Sequence, residues 1–300
     1  MASDLRSMLT ERLKRFVPGA GGSTLERGHR RARVLAIAAS KGGVGKTTTA
    51  VSLAAGLAKL AGKRVLLVDL DSQAHIATAF RSVVPTDLPT ISQLLLGDRT
   101  RARELMEAAY ATSVDDLHLT PSDKTLNDTE SLLATKIGKE FILRSAIEIT
   151  RTHYDYIVFD CPPNLGNLTL NALLAADHLI VPSDLTVLSL EGVGDILQTV
   201  ETIAARLGHR LNVLGVLPTR VDRRNKSLNT TMEQSLHDMF GSLVFDTEIP
   251  VGTAAPRAQL EGKTIYDFDK ASKVAVAYET FVGEVLAKLN DVAVAKKKVG

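Results

Sequence analysis

The chain has 300 residues, 45% of them hydrophobic and 23% charged, a balance that supplies a globular core. It contains no apolar run of about 18 residues, which excludes a membrane-spanning helix from the expected elements. Its single cysteine, Cys161, excludes an intrachain disulfide and an all-cysteine metal site.

Net charge is only +2 but is unevenly spread, with eight Lys/Arg against three Asp/Glu in residues 1–33 and Lys296, Lys297 and Lys298 near the end. Basic ends on a near-neutral body suit contact with nucleic acid or an anionic surface, and equally suit solvated termini. The first 16 residues carry Arg12, Lys14 and Arg15 where a signal peptide needs an apolar centre, so a cytoplasmic protein is expected.

Residues 1–17 place Leu5, Met8, Leu9, Leu13 and Phe16 on one helical face. Pro18, Gly19, Gly21 and Gly22 then read as a linker. The short amphipathic helix has three readings: packing on the body, binding a partner, or lying on a membrane. Residues 34–39 form a short apolar run, that of a buried strand. Residues 47–63 are rich in Ala and Leu and predict a helix, and RVLLVDL at 64–70 predicts a second buried strand. Strand, glycine-rich turn, helix and strand make a βαβ unit.

The alternation continues with strands at 117–120, 156–160, 178–182 and 211–217. Helices are predicted at 136–150, 189–207, 227–240 and 271–289. Continuous apolar strands between helices imply an α/β fold, with a mostly parallel central sheet flanked by helices on both faces. Three segments are expected: an N-terminal helix and linker over 1–32, one α/β domain over 33–290, and a basic tail over 291–300.

The stretch Lys41-Gly42-Gly43-Val44-Gly45-Lys46-Thr47-Thr48 follows a strand and opens a helix, the context of a phosphate-binding loop. The strict pattern asks for glycine where Ser40 stands. The glycines present let backbone N–H groups point at phosphate oxygens, and the helix N-terminus adds its dipole. Lys46 is assigned to the β- and γ-phosphates and the Thr47 hydroxyl to Mg²⁺, which makes the chain a candidate P-loop ATPase using ATP and Mg²⁺.

Three carboxylates sit at strand ends. Asp69 and Asp71 close the second strand, on one side by alternation with Leu70 opposite. Asp160 closes the run Tyr156-Ile157-Val158-Phe159. Ligands bind at this edge of a parallel sheet, and an aspartate there facing a P-loop holds Mg²⁺. Cys161 reads as a small buried hydrophobe.

The loop resembles the deviant Walker A motif, K-G-G-x-G-K-T-T, of the ParA/MinD family. Asp160-Cys161-Pro162-Pro163-Asn164-Leu165-Gly166 resembles that family's D-C-P-P-x-L-G. The likeness covers residues 33–289 and, through Leu168–Leu173 and Val181-Pro182, is nearer to ParA-type partition ATPases than to MinD. It implies that Lys41 reaches the partner's phosphates across a nucleotide-sandwich homodimer formed on ATP binding. It implies that Asp71 positions the attacking water near Mg²⁺, beside Thr47 and Asp160, while Asp69 is structural, by capping or ion pairing. Pro162 and Pro163 stiffen a loop that senses the γ-phosphate.

The sequence departs from the family at Asp71-Ser72-Gln73-Ala74-His75 and at Ala254-Ala255-Pro256-Arg257, so few adenine contacts carry over. Pro218, Thr219 and Arg220 are candidates near the adenine, or an ordinary loop. The resemblance further implies non-specific binding of double-stranded DNA, with Arg220, Arg223, Arg224 and Lys226 as a candidate surface. A ParB-like partner would stimulate slow hydrolysis, and the dimer would be nucleoid-associated. The segment before the body is too short for an added helix-turn-helix domain, so sequence-specific operator binding is not expected. No stable membrane association is expected, since the terminal lysines lack the bulky apolar residues of MinD's membrane helix. A MinD-like regulator, or a ParA-like ATPase that positions a protein cargo, is the alternative.

Overall fold

The structure, a computed structural model, describes residues 30–80, 89–96, 105–224 and 226–299. The N-terminal amphipathic segment lies outside the described residues, as do the side chains of Lys226 and of residues 291–300.

In chain order the elements are β1 (Arg33–Ile37), α1 (Lys46–Lys59), β2 (Val65–Asp69), α2 (His75–Ala79) and α3 (Ile91–Leu96). Then come β3 (Tyr110–Ala111), β4 (Leu117–Thr120), α4 (Leu126–Leu133), α5 (Ile142–Ala146), β5 (Tyr156–Asp160) and α6 (Asn167–Ala175). The chain closes with β6 (His178–Asp184), α7 (Val187–Leu207), β7 (Asn212–Thr219), α8 (Lys226–Phe240), α9 (Ala254–Glu261), α10 (Ile265–Phe268) and α11 (Lys273–Val299). The sheet order is β3-β4-β2-β5-β1-β6-β7. Its pairings are parallel except at the edge, where β3 runs antiparallel to β4.

All five positions of β2 and of β5 are buried. That is why these strands read as unbroken apolar runs: helices cover both faces. One core packs α3 through α8 against one face of the sheet, with Leu94, Leu133, Leu143, Leu173, Ile196 and Leu236 pointing into it. The other packs α1, α2, α9, α10 and α11 against the opposite face, around Leu53, Leu57, Ile76, Tyr278 and Phe281. With few aromatics, this second core leans on an edge-to-face pair, Phe245 and Phe281, at 5.1 Å between centroids.

One predicted helix is corrected. Residues 136–150 do not form a continuous helix but a 3₁₀ turn (Lys139–Phe141), the short α5, and a second 3₁₀ turn (Thr150–Thr152). Gly138 starts the first turn at φ 66°, a left-handed conformation that interrupts any helix. The Asn171 side chain then takes up backbone groups a longer helix would pair. Its Oδ1 accepts from Leu143 N at 3.1 Å and its amide donates to Lys139 O at 2.9 Å. At the C-terminus, by contrast, the helical backbone runs past the expected boundary at 290, to Val299.

β7 carries a register irregularity opposite Leu179/Ile180, just before Gly215. A Cβ at Gly215 would lie 2.6 Å from the Leu243 carbonyl and 2.6 Å from the Phe245 ring, and neither can retreat from a filled core. Gly215→Ala is therefore expected to cost about 1–3 kcal/mol by overpacking. It should appear as a lower urea midpoint with an unchanged slope.

Candidate functional site

The site forms where β1, β2 and β5 end. Beyond β1 the loop carries Gly43 at φ 77° and Gly45 at φ 87°. No atom lies within 4 Å of a Cβ built at Gly43, and the nearest to one at Gly45 is ordinary contact at 3.9 Å. Backbone conformation rather than space therefore demands glycine at both positions. Gly45 caps α1 without a side-chain hydrogen bond, and the first turn holds no acidic residue. The leading N–H groups and positive helix end are left for an anion.

A cavity of about 590 Å³ opens over this loop, lined on the phosphate side by Gly42, Gly43, Gly45, Lys46, Thr47 and Thr48, with Asp71 and Pro163 beside them. Val44 is buried and braces the loop: its carbonyl accepts from Thr219 Oγ1 at 2.7 Å. Lys46 is buried and donates to Lys41 O at 2.8 Å. Burial lowers its pKa, opposed first by the Asp160 charge. Lys41 points out of its own cavity, donating to Thr186 Oγ1 at 3.1 Å and Ser189 Oγ at 3.3 Å and lying 3.5 Å from Asp184.

The carboxylates divide by environment. Asp69 and Asp160 stand side by side in register on adjacent strands, both buried. Asp69 accepts from the Asp71 N–H at 3.0 Å and the Ile76 N–H at 3.4 Å, which ties the loop after β2 to the start of α2. Of its two expected structural roles, it is the capping one that these bonds describe. Burial still pushes its carboxyl up to about 7, against those hydrogen bonds. Both oxygens of Asp160 are buried without a well-aligned partner. Burial and then the Asp69 charge hold its pKa well above the carboxylate range, with the nearby Thr47 hydroxyl and Lys46 pulling the other way. Asp71 is only partly buried; its Oδ1 accepts from Gln73 N at 3.0 Å.

Among the described residues no group of three His, Cys, Asp or Glu could hold a metal. Mg²⁺ does not require one, because it is commonly held by one or two carboxylates plus substrate phosphates. The unpaired oxygens of Asp160 beside the Thr47 hydroxyl fit that donor set. The Cys161 thiol is buried and pushed up by burial, which matches a packing role.

A family model described as "AAA domain" matches residues 32–213, more than half of the chain. The chain is 36% identical over 261 residues to the chromosome partitioning protein ParA of Caulobacter vibrioides, covering 86% of this chain and 96% of that one. This chain is a member of the ParA/MinD family of P-loop ATPases. It is also 36% identical over 255 residues to the sporulation initiation inhibitor protein Soj of Bacillus subtilis, covering 85% and 98% of the two chains. Among solved structures it resembles cobyrinic acid a,c-diamide synthase from Mycobacterium smegmatis with bound ADP and magnesium. There the TM-score is 0.71 and identity 34%, with 86% of this chain and 96% of that one covered.

Within this ParA/MinD frame the structure gathers the loop residues, Asp71 and Asp160 at one strand edge. Of the adenine candidates, Thr219 and Arg220 line the cavity and Pro218 does not. Pro218 instead accepts from Ile249 N at 2.9 Å, building the wall. Arg220 is exposed, sits at φ 54° and donates to Gly43 O at 3.0 Å, so it touches the phosphate loop while remaining at the surface. Arg223 pairs with Glu233 and Glu248, and Arg224 with Asp222.

Sequence reasoning missed the far wall: Pro250, Val251, Gly252, Pro256, Gln259 and Tyr278. It also missed Glu130 on α4, whose Oε1 accepts from Leu168 N at 3.3 Å and which packs against Gly166 after the double proline. Two local signals bore on the wall, the glycine in Val251-Gly252-Thr253 just before a helix and Ala254-Ala255-Pro256-Arg257, read only as a departure from the family; nothing local marks Glu130.

Asp160→Asn removes a buried charge without changing shape. A carboxyl whose folded pKa lies above its unfolded value of about 3.9 lowers stability progressively as pH rises above that value. In thermal unfolding without nucleotide, the Asn variant should therefore match wild type near pH 4 and exceed it increasingly toward pH 8. The stabilisation that Mg-ADP gives wild type should be largely lost in the variant.

Proposed function

We propose that this chain is a ParA-type partition ATPase: ATP drives a sandwich homodimer that binds DNA non-specifically, and slow, partner-stimulated hydrolysis releases it. The observation that carries this reading is Lys41. It occupies the first position of the phosphate loop yet points out of its own cavity, onto Asp184, Thr186 and Ser189. A cation placed so is available to a second molecule docked over the cavity mouth. Beside it Val187 and Leu188 are 58% and 67% exposed, apolar area that such a dimer would cover.

In this mechanism the loop N–H groups, the α1 N-terminus and Lys46 hold the phosphates of ATP. Lys46 is parked on a backbone carbonyl and needs only to turn to reach them. Thr47 and Asp160 would hold Mg²⁺, which when bound offsets the phosphate charge. Asp71, partly open to the cavity and held by its own loop, orients the water that attacks the γ-phosphate. Lys41 of the second protomer stabilises the charge that develops. Pro163, against Gly42, reports loss of the γ-phosphate to the loop that Glu130 clamps.

The DNA surface in this reading includes Arg223 and Arg224, whose side chains are 68% and 86% exposed. Exposed ion pairs such as theirs are weak and screened, so phosphates can displace the carboxylates. A ParB-like protein is the proposed stimulating partner. The proposed location is cytoplasmic and nucleoid-associated; among the described residues no helix is long and apolar enough to cross a membrane.

Two variants separate the roles. Lys41→Ala should bind ATP as a monomer with near-normal affinity but fail to dimerise, and Asp71→Ala should accumulate a stable Mg-ATP dimer. Light scattering after gel filtration reads both, and an Asp71→Ala protein that stays monomeric would remove the assigned role. Wild type should bind random-sequence duplex DNA far more tightly with ATP than with ADP, and less tightly as salt rises. Absence of ATP-dependent retention in a gel-shift assay would redirect the function to a protein cargo.

A further inference from the structure

The end of the sheet opposite the cavity carries a second concentration of charge. Two adjoining hollows there share Arg30 and Arg31. Together they are lined by Arg30, Arg31, Arg33, Lys63, Arg144 and Arg151 against three carboxylates, Glu148, Asp155 and Asp177. Two of those carboxylates are committed to the fold. Asp155 accepts from Arg64 N at 2.9 Å and pairs with Arg30, while Asp177 accepts from Val34 N at 2.9 Å and pairs with Arg151. Among the described residues, Arg31, Arg33, Lys63 and Arg144 form no ion pair.

The topology explains the clustering. Strands β2, β5, β1 and β6 are neighbours, and Val65, Tyr156 and Arg33 lie level in register. Their starts, preceded by Lys63, Asp155, Arg31 and Asp177, make a row about 14 Å wide at about 4.8 Å per strand.

We infer that this strand-start face is a second polyanion surface, which holds the phosphate backbone of duplex DNA independently of nucleotide. The inference rests on the DNA reading above and adds a contact that the ATP switch does not control. Arg30, Arg31 and Arg144 are exposed and Arg33, Lys63 and Arg151 half-buried, spread over the two hollows, which suits evenly spaced phosphates, about one per 1.7 Å of duplex axis, better than a single small anion. No exposed large apolar side chain lines either hollow, whereas membrane docking pairs basic charge with apolar insertion. The face is a strand length from the phosphate loop, about 16 Å for the five residues of β1, beyond the Debye length of about 8–10 Å. Nucleotide charge therefore barely reaches it. By contrast Arg220 is engaged with the phosphate loop, and Arg223 and Arg224 are paired with carboxylates. This surface would keep an ADP-bound or empty chain weakly on DNA while the ATP dimer supplies tight binding.

The test is fluorescence anisotropy of a labelled random-sequence duplex, with and without nucleotide, at several salt concentrations. It compares wild type, the reversal Arg31→Glu with Lys63→Glu and Arg144→Glu, and the charge-keeping Arg31→Lys with Lys63→Arg and Arg144→Lys. Wild type is expected to bind weakly without nucleotide. The reversal should weaken that binding at least about tenfold and flatten the salt slope by about 2–3, while the charge-keeping variant binds like wild type. ATP-driven dimerisation should persist in the reversal, which shows that it is folded. Unchanged affinity and slope in the reversal overturn the inference. So does a reversal that loses only binding to phosphatidylserine vesicles, which would make the face a membrane contact. Wild type that binds DNA with ATP but not without it overturns the inference and leaves the partition reading standing; wild type that binds in no state overturns both.

Discussion

Asp69 and Asp160 end adjacent strands in register and are both buried, and Lys46 is the buried cation whose charge acts on Asp160. Parallel pairing makes them neighbours, because level strands about 4.8 Å apart deliver level ends. Burial raises both pKa values, with the Asp69 charge adding to the rise at Asp160 and the Asp71 charge adding to that at Asp69. The surrounding loops answer this charge differently. Asp69 is satisfied by backbone N–H groups from the loop it organises, while Asp160 is left open. The first arrangement shapes the site, and the second leaves it receptive to a divalent cation.

The same geometry explains why the phosphate loop and the switch loop meet. β1 lies between β5 and β6, so the loop after β1 emerges beside the double proline after β5 and close to Thr219 at the end of β7. Small contacts hold this arrangement: Thr219 to the Val44 carbonyl, Arg220 to the Gly43 carbonyl, and Glu130 to the turn of Gly166 and Leu168. Each joins residues far apart in the chain. In the proposed mechanism a phosphate bound by the loop would reach the end of β7 through the first two of these contacts.

The two ends of the sheet carry opposite electrostatic logic. At the strand ends, buried carboxylates and a helix N-terminus build a site for Mg²⁺ and phosphate together. At the strand starts, aspartates cap backbone N–H groups and leave exposed or half-buried cations between them. A parallel sheet separates these ends by a strand length, enough for screening to make them independent. One fold can thus carry a switched surface and a constant one.

The sequence by itself determined the six parallel strands of the body, but not the antiparallel edge strand β3, and the phosphate loop and the strand-end aspartates. Buried parallel strands appear as apolar runs, and a phosphate loop is local chemistry: glycines at left-handed positions, then lysine and threonine opening a helix. It could not reveal the break in residues 136–150, because Asn171 supplies the competing hydrogen bonds from another helix. Nor could it show that Arg220 reaches the Gly43 carbonyl, that Lys41 leaves its own cavity, or that Pro250, Gly252 and Gln259 close the far wall. The row of cations from Arg31, Lys63 and Arg144 was equally hidden, since those residues are dispersed along the chain and only strand order makes them neighbours. Local backbone chemistry is written in consecutive residues; contacts set by strand order and by side chains reaching between elements exist only once the sheet has formed.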